Sequence, residues 1–213
     1  MSKRPRCHER DSDGGHYVPL TKEVSMKTEI IAILDRSGSM QSIITDAIGG
    51  FNAFIDEQRK VAGEARMSVV LFDTEYEMVY QARPIADAPH LTRDTYVPRG
   101  STALLDAIGR AMNEQGKRIA EEKWADNVIV CILTDGQENA SREFKTDTIK
   151  PMIEHAEKNG WAFVYLGANQ DAFAVASAYG IQAGRTFAFA ANAAGTKGAY
   201  ASMSATTECL RTQ

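Results

Sequence analysis

The chain has 213 residues, long enough for one substantial α/β domain and short for two. A hydrophobic fraction of 44% and a charged fraction of 24% are ordinary for a globular protein, and a net charge of −4 offers no electrostatic footprint for nucleic acid. No apolar run approaches a membrane span, no apolar stretch follows the basic N-terminal residues as in a secretory signal, and Cys7, Cys131 and Cys209 form no CxxC pair, so a cytoplasmic, soluble protein is expected.

Residues 1–25 are polar, carry both charge signs and lack periodicity, which predicts a flexible arm ahead of one domain over 26–213. Cys7, His8 and His16 in that arm have no recognised metal-ligand spacing. From Glu29 the chain alternates short apolar runs with amphipathic stretches, the pattern of a parallel α/β sheet. Glu29 to Leu34 reads as a strand buried on both faces. Ile44, Ala47, Ile48, Phe51, Phe54 and Ile55 then recur at helical spacing. Gly49 and Gly50 inside that helix cost roughly 1 kcal/mol each relative to alanine, and close packing against a neighbour is one explanation.

Met67–Phe72 and Glu77–Ala82 read as strands joined by so short a link that they are antiparallel. Residues 83–100, with three prolines and Gly100, are mostly loop. A helix follows, with Leu104, Leu105, Ile108, Ala111, Met112 and Ile119 on its buried side. Asn127–Leu133 is a second fully buried strand, with Cys131 as a small buried thiol inside it. A helix over 145–158, a strand Trp161–Leu166, a helix over 171–179, a strand Thr186–Ala190 and a last helix from Thr196 to Leu210 complete the chain.

Three loops at or near strand ends gather oxygen donors: Asp35, Ser37 and Ser39; Ser101 and Thr102; Asp135. Ligands of open α/β sheets bind beyond the carboxyl ends of the strands. A set without His or Cys suits a hard cation such as Mg²⁺, Mn²⁺ or Ca²⁺ and argues against zinc. Taken singly, each residue also has a bland role. Asp35, Ser37 and the Asp135-Gly136 pair can shape turns, and Ser39, Ser101 or Thr102 can cap helices. Glu138 and Asn139 lie close enough in sequence to influence a partner or merely to form a loop, and Asp106 can brace the site or cover its helix.

Asp35-x-Ser37-x-Ser39 after an apolar strand, Gly-Ser-Thr before a helix and Thr-Asp-Gly after a second buried strand together resemble the metal-ion-dependent adhesion site (MIDAS) of von Willebrand factor A domains. The resemblance covers residues 28–211, and the runs DRSGSM, RGSTALLDAIG and TDGQENASRE are similar to compact stand-alone A-domain proteins of bacteria and phages. It implies a doubly wound, mostly parallel six-stranded sheet in the order 3-2-1-4-5-6, one edge strand antiparallel, with helices on both faces. It also implies that Ser37, Ser39 and Thr102 bind the metal directly, with Asp35 and Asp135 behind them holding metal-bound water. Ser101, Asp106, Glu138 and Asn139 then form a surrounding set that braces the site or meets the partner. The implied function is metal-dependent protein–protein recognition without catalysis, in which a partner's Glu or Asp replaces a metal-bound water. A ligand-linked shift of the last helix is implied in the same way.

Two other readings remain. A Mg²⁺-dependent phosphatase or hydrolase needs a nucleophile or base, for which Asp35 is the candidate. The chain nevertheless lacks the Asp-x-Asp of haloacid-dehalogenase phosphatases, Gly-x-Ser-x-Gly, GxxxxGK[ST] and GxGxxG. An RNA-associated module is the third reading, disfavoured by the acidic balance. His8, His16, His90 and His155 are scattered, and Trp124, Trp161, Phe163 and Tyr165 read as core or strand-edge residues.

Overall fold

The computed structural model describes residues 26–168 and 171–213. The expected arm over 1–25, with Cys7, His8 and His16, lies outside them. In chain order the elements are β1 (Lys27–Asp35), α1 (Ile44–Lys60), β2 (Glu64–Phe72), β3 (Tyr76–Pro84), α2 (Leu104–Glu122), β4 (Asn127–Thr134), α3 (Thr146–Lys158), β5 (Trp161–Ala168), α4 (Ala172–Ala178), β6 (Thr186–Phe189) and α5 (Ala193–Arg211). The strands form one sheet in the order β3-β2-β1-β4-β5-β6. All neighbours are parallel except β2 and β3, whose three-residue link permits only the antiparallel pairing.

The period-two alternation of the strands sorts the core into two layers. Ile30, Ala32 and Leu34 of β1, Met67, Val69 and Leu71 of β2, and Ile129, Cys131 and Leu133 of β4 face α1 and α5. Ile31 and Ile33, Val70 and Phe72, and Val128, Val130 and Ile132 face α2, α3 and α4. This two-sided burial is why the central strands are continuous apolar runs. Several boundaries differ from the sequence reading: β2 begins at Glu64 and not Met67, and β3 spans Tyr76–Pro84 and not Glu77–Ala82. A 3-10 turn over Gly38–Ile43 precedes α1, and α5 begins at Ala193, where the Asn192 side chain accepts the Gly195 N–H at 2.9 Å. Among the described residues no helix is long and apolar enough to cross a membrane.

The glycine pair of α1 divides into two cases. A Cβ on Gly50 would lie 2.2 Å from the Tyr200 ring of α5, so glycine is what lets the two helices approach. A Cβ on Gly49 would meet nothing within 4 Å. Gly49→Ala is therefore expected to stabilise the protein by up to about 1 kcal/mol through helix propensity. Gly50→Ala must displace buried Tyr200 and is expected to cost roughly 1–3 kcal/mol. Urea midpoints of the two variants moving in the same direction would contradict this.

Candidate metal centre

β1 and β4 are adjacent, and their carboxyl ends open side by side where the winding of the sheet reverses. Asp35 ends β1 and Thr134 ends β4. Thr134 Oγ1 donates to Asp35 Oδ2 at 2.6 Å, and the Ser37 N–H donates to Asp35 Oδ1 at 2.6 Å. Both oxygens of this buried carboxylate are thus held by the protein, a poor arrangement for a nucleophile. Ser37 Oγ and Ser39 Oγ lie 3.1 Å apart, and Ser39 Oγ donates to Asp135 Oδ1 at 2.5 Å.

Gly136 reveals where these groups point. A Cβ built on it would stand 2.9 Å from Thr102 Oγ1, 3.5 Å from Ser39 Oγ and 3.9 Å from Asp35 Oδ2. Oxygens from two separate loops therefore converge beside Gly136 of a third, on one small volume that a side chain at position 136 would fill. Asp35, Ser37, Thr102 and Asp135 are buried, while Ser39 is exposed, so the cluster meets solvent at Ser39.

The hydroxyls are not employed as helix caps. Ser37 precedes the 3-10 turn and Ala103 precedes α2, in both cases without a side-chain cap bond. Glu138 serves the α2 N-terminus instead, accepting the Leu105 N–H at 2.9 Å, and it also accepts from the Ala140 and Ser141 N–H groups. Asn139 Oδ1 accepts the Thr102 N–H at 3.0 Å. The Asp106 carboxylate accepts the N–H groups of Arg142, Glu143 and Phe144 at 2.8–2.9 Å. These three side chains tie the loop after β4 to the start of α2, which sets the Thr102 hydroxyl against Gly136. Ser101 is exposed beside them.

A second brace went unforeseen. Arg36, within the first loop, donates from Nε to Asp73 Oδ2 at 2.9 Å and from Nη1 to Glu77 Oε2 at 2.5 Å. Arg99 Nε donates to the same Asp73 oxygen at 2.9 Å. Backbone bonds complete the lacing: Arg99 N to Arg36 O at 2.8 Å, Gly38 N to Gly100 O at 3.2 Å and Ala103 N to Asp73 O at 2.9 Å. Gly100 adopts φ +64°, a backbone state that favours glycine. Beneath the loop the Tyr96 hydroxyl donates to the Asp35 carbonyl. The available signal was that Asp73, like Asp35 and Asp135, stands at the end of an apolar strand.

Burial pushes the Asp35 carboxyl up to about 6, against bonds from Thr134 and Ser37 that favour the anion and with the Asp135 charge adding to the rise. Burial also raises Asp135, opposed by Ser39. Arg36 does not answer these carboxylates with a hydrogen bond, because its guanidinium is directed at Asp73 and Glu77. Two carboxylates and three hydroxyls around one volume fit a hard divalent cation, which would relieve both raised acids. Among the described residues no group of three or more His, Cys, Asp or Glu is placed to hold a metal ion.

Asp73 behaves oppositely. Burial acts to raise it, but bonds from Arg99 and the Glu75 N–H and the Arg36 charge outweigh burial and hold it below the ordinary carboxylate range. A depressed acid contributes stability that is present above its unfolded value and lost as pH falls through the folded one. Stability is therefore expected to drop below about pH 4, and less steeply in Asp73→Asn, as read from urea midpoints between pH 5 and pH 3.

No protein-family model matches the chain, and no curated protein matches it in sequence. Solved structures match it in fold. Proximal thread matrix protein 1 from the mussel byssus, with a zinc-occupied MIDAS motif, aligns with a TM-score of 0.64 at 15% identity, over 86% of this chain and 46% of that one. The vWF domain of the type V pili tip protein Mfa5 from Porphyromonas gingivalis aligns at 0.62 and 12% identity, over 87% and 96%. Manganese-loaded TRAP protein from Plasmodium vivax aligns at 0.53 and 16% identity, over 81% and 71%. The chain spans under half the length of the mussel protein. By its strand order and these likenesses, the chain has the fold of a von Willebrand factor A domain.

Proposed function

We propose that the chain is a non-catalytic protein–protein interaction module that holds a divalent cation and uses it to capture a Glu or Asp of a protein partner. The observation that carries this reading is the convergence of Asp35, Ser39 and Thr102 oxygens on the volume beside Gly136. Ser37, Ser39 and Thr102 would hold the ion directly, with Asp35 and Asp135 behind them. Neutral hydroxyls leave most of the ionic charge uncompensated, so the bound ion supplies an electrophilic docking point for a carboxylate. Mg²⁺ is the favoured ion, with Mn²⁺ and Ca²⁺ also compatible with oxygen donors. The zinc in the mussel protein's MIDAS keeps zinc among the ions to test.

Absence of catalysis is supported by Asp35, whose two oxygens are already bonded. A cytoplasmic location belongs to this reading and is consistent with the free thiols of Cys131 and Cys209. Saturating cation, at about 100 times its dissociation constant, is expected to add about 2.7 kcal/mol of stability. That is roughly 5–11 °C for a chain of this size. Thermal unfolding in EDTA and then in Mg²⁺, Mn²⁺, Ca²⁺ or Zn²⁺ measures it. A pull-down in Mg²⁺ and in EDTA, beside a Ser37→Ala/Ser39→Ala variant, tests recognition. The same proteins recovered in every condition would remove the metal from it.

A further inference from the structure

The loop over residues 96–100 runs between two parts of the oxygen cluster and is bonded along its length to the first of them. The pairing of β1 with β4 ends at Leu34–Leu133, and just beyond it the Asp35 carbonyl accepts the Tyr96 hydroxyl. The next carbonyl, of Arg36, accepts the Arg99 N–H at 2.8 Å, and the Gly38 N–H donates to the Gly100 carbonyl at 3.2 Å. Asp35, Arg36 and Gly38 are thus matched in order by Tyr96, Arg99 and Gly100. Ser37 and Ser39 belong to the first side of this ladder, and Ser101 and Thr102 continue the second directly. The ladder therefore sets the spacing between the two serines and Thr102.

The bonds from Arg99 and Gly38 run from backbone to backbone and do not depend on residue type. The bond to Asp35 depends on a side chain. Tyr96 is 2% exposed, with its ring in the layer that holds Leu34, Met40 and Phe51. Burial holds its phenol well above the ordinary value, so the hydroxyl keeps its proton and remains a donor. Phenylalanine would fill nearly the same volume. What tyrosine adds is the hydroxyl, and its bond goes to the residue where β1 turns into the first loop. A threonine turn presents the ring: Thr95 Oγ1 accepts the Thr92 N–H at 2.9 Å, and the Tyr96 N–H donates to the Thr92 carbonyl at 2.9 Å.

We infer that Tyr96 is a positioning residue of the metal centre: by holding the Asp35 carbonyl, its hydroxyl fixes the first loop so that Ser37 and Ser39 face the cation together with Thr102. The inference rests on the metal-docking reading above. Groups that orient metal ligands from behind commonly change affinity by about 10- to 100-fold when removed. Without the hydroxyl the first loop loses the bond at its root, while the Asp35 carboxylate keeps its bonds from Thr134 and Ser37. The expected defect is a serine that no longer reaches the ion, its place taken by water.

The test uses the full chain with Mn²⁺ alone, in wild type, Tyr96→Phe, Thr95→Ala and Tyr80→Phe. Tyr80 is the control, because its buried hydroxyl bonds Met67 Sδ at 3.5 Å and not a metal loop. Free Mn²⁺ is counted by electron paramagnetic resonance, and water-proton relaxation reports the water carried by the bound ion. Tyr96→Phe is expected to bind Mn²⁺ about 10- to 100-fold more weakly, and its bound ion to relax water protons faster than in wild type. Thr95→Ala, an exposed change that slackens the turn, should show a smaller loss of the same kind; it decides the matter if Tyr96→Phe does not fold in EDTA. Tyr80→Phe should match wild type in both readouts. Wild-type affinity in the deciding variant would overturn the inference alone. So would weaker binding with unchanged relaxation, which leaves the ligands in place, or an equal loss in Tyr80→Phe, which marks a general loosening. A wild-type chain that takes up no Mn²⁺ would overturn the metal reading and the inference with it.

Discussion

Replacing Asp35 by asparagine is expected to make the metal-free protein more stable and to abolish its response to divalent cations. The raised carboxyl, from 3.8 to about 6, means the fold disfavours the anion. Below the unfolded value both states are protonated and nothing is lost, and stability falls as pH rises from about 4 to about 6. At pH 8 the full cost applies, roughly 2–3 kcal/mol at 1.36 kcal/mol per unit. Asparagine avoids that cost and can keep the bonds. Its carbonyl accepts the Ser37 N–H, and its amide donates to Thr134 Oγ1, whose own proton can turn to the Gly136 carbonyl 3.1 Å away. Wild type and variant should therefore change order: the variant melts higher in EDTA, and only wild type gains on adding Mn²⁺. Equal gains in Mn²⁺, or a variant that is less stable in EDTA at pH 8, would sink this account of the site.

The other large effect belongs to Asp73. Both it and Arg36 are nearly inaccessible, at 1% and 4% exposure. Asp73→Ala leaves the Arg36 guanidinium buried with only the partly exposed Glu77 as an ionic partner. Breaking one side of a buried pair commonly costs about 3–5 kcal/mol, and that range is expected here. Removing both charges is different, because apolar replacements of similar volume can be nearly neutral. Arg36→Met/Asp73→Leu should regain at least half of the loss in urea unfolding, without necessarily restoring the loop spacing. A cost below about 1 kcal/mol for Asp73→Ala would place the brace among pairs of no energetic consequence.

Asp73 also shows where sequence reading stops. The layers of the sheet were legible because burial on both faces leaves an unmistakable mark in Ile30–Leu34 and Val128–Leu133. The oxygen donors were legible because each sits at a strand end or a helix start, positions that short patterns report. The strand order came from resemblance rather than periodicity. What could not be read were contacts between loops far apart in the chain. Arg36 finds Asp73 across 37 residues, Tyr96 reaches the Asp35 carbonyl across 61, and Glu138 serves α2 across 33. Local propensity carries no information about such meetings. Gly49 and Gly50 make the same point at shorter range, since only the position of Tyr200 distinguishes them.

The pairing of β1 with β4 has a temporal consequence. Thr134 and Asp35 are joined by a hydrogen bond but separated by 99 residues. During synthesis at about 5–20 residues per second, β1 waits roughly 5–20 s before its second neighbour emerges. In that interval β1 can pair with β2, and β2 with β3, while the other edge of β1 remains open with its apolar run. Closing so long a loop is slow in parallel sheets, and open apolar edges invite association between chains. Refolding should accordingly show a late phase in which β1 and β4 join. The response to Mn²⁺ should appear with that phase and not before it, because no shorter piece of the chain contains both halves of the oxygen cluster.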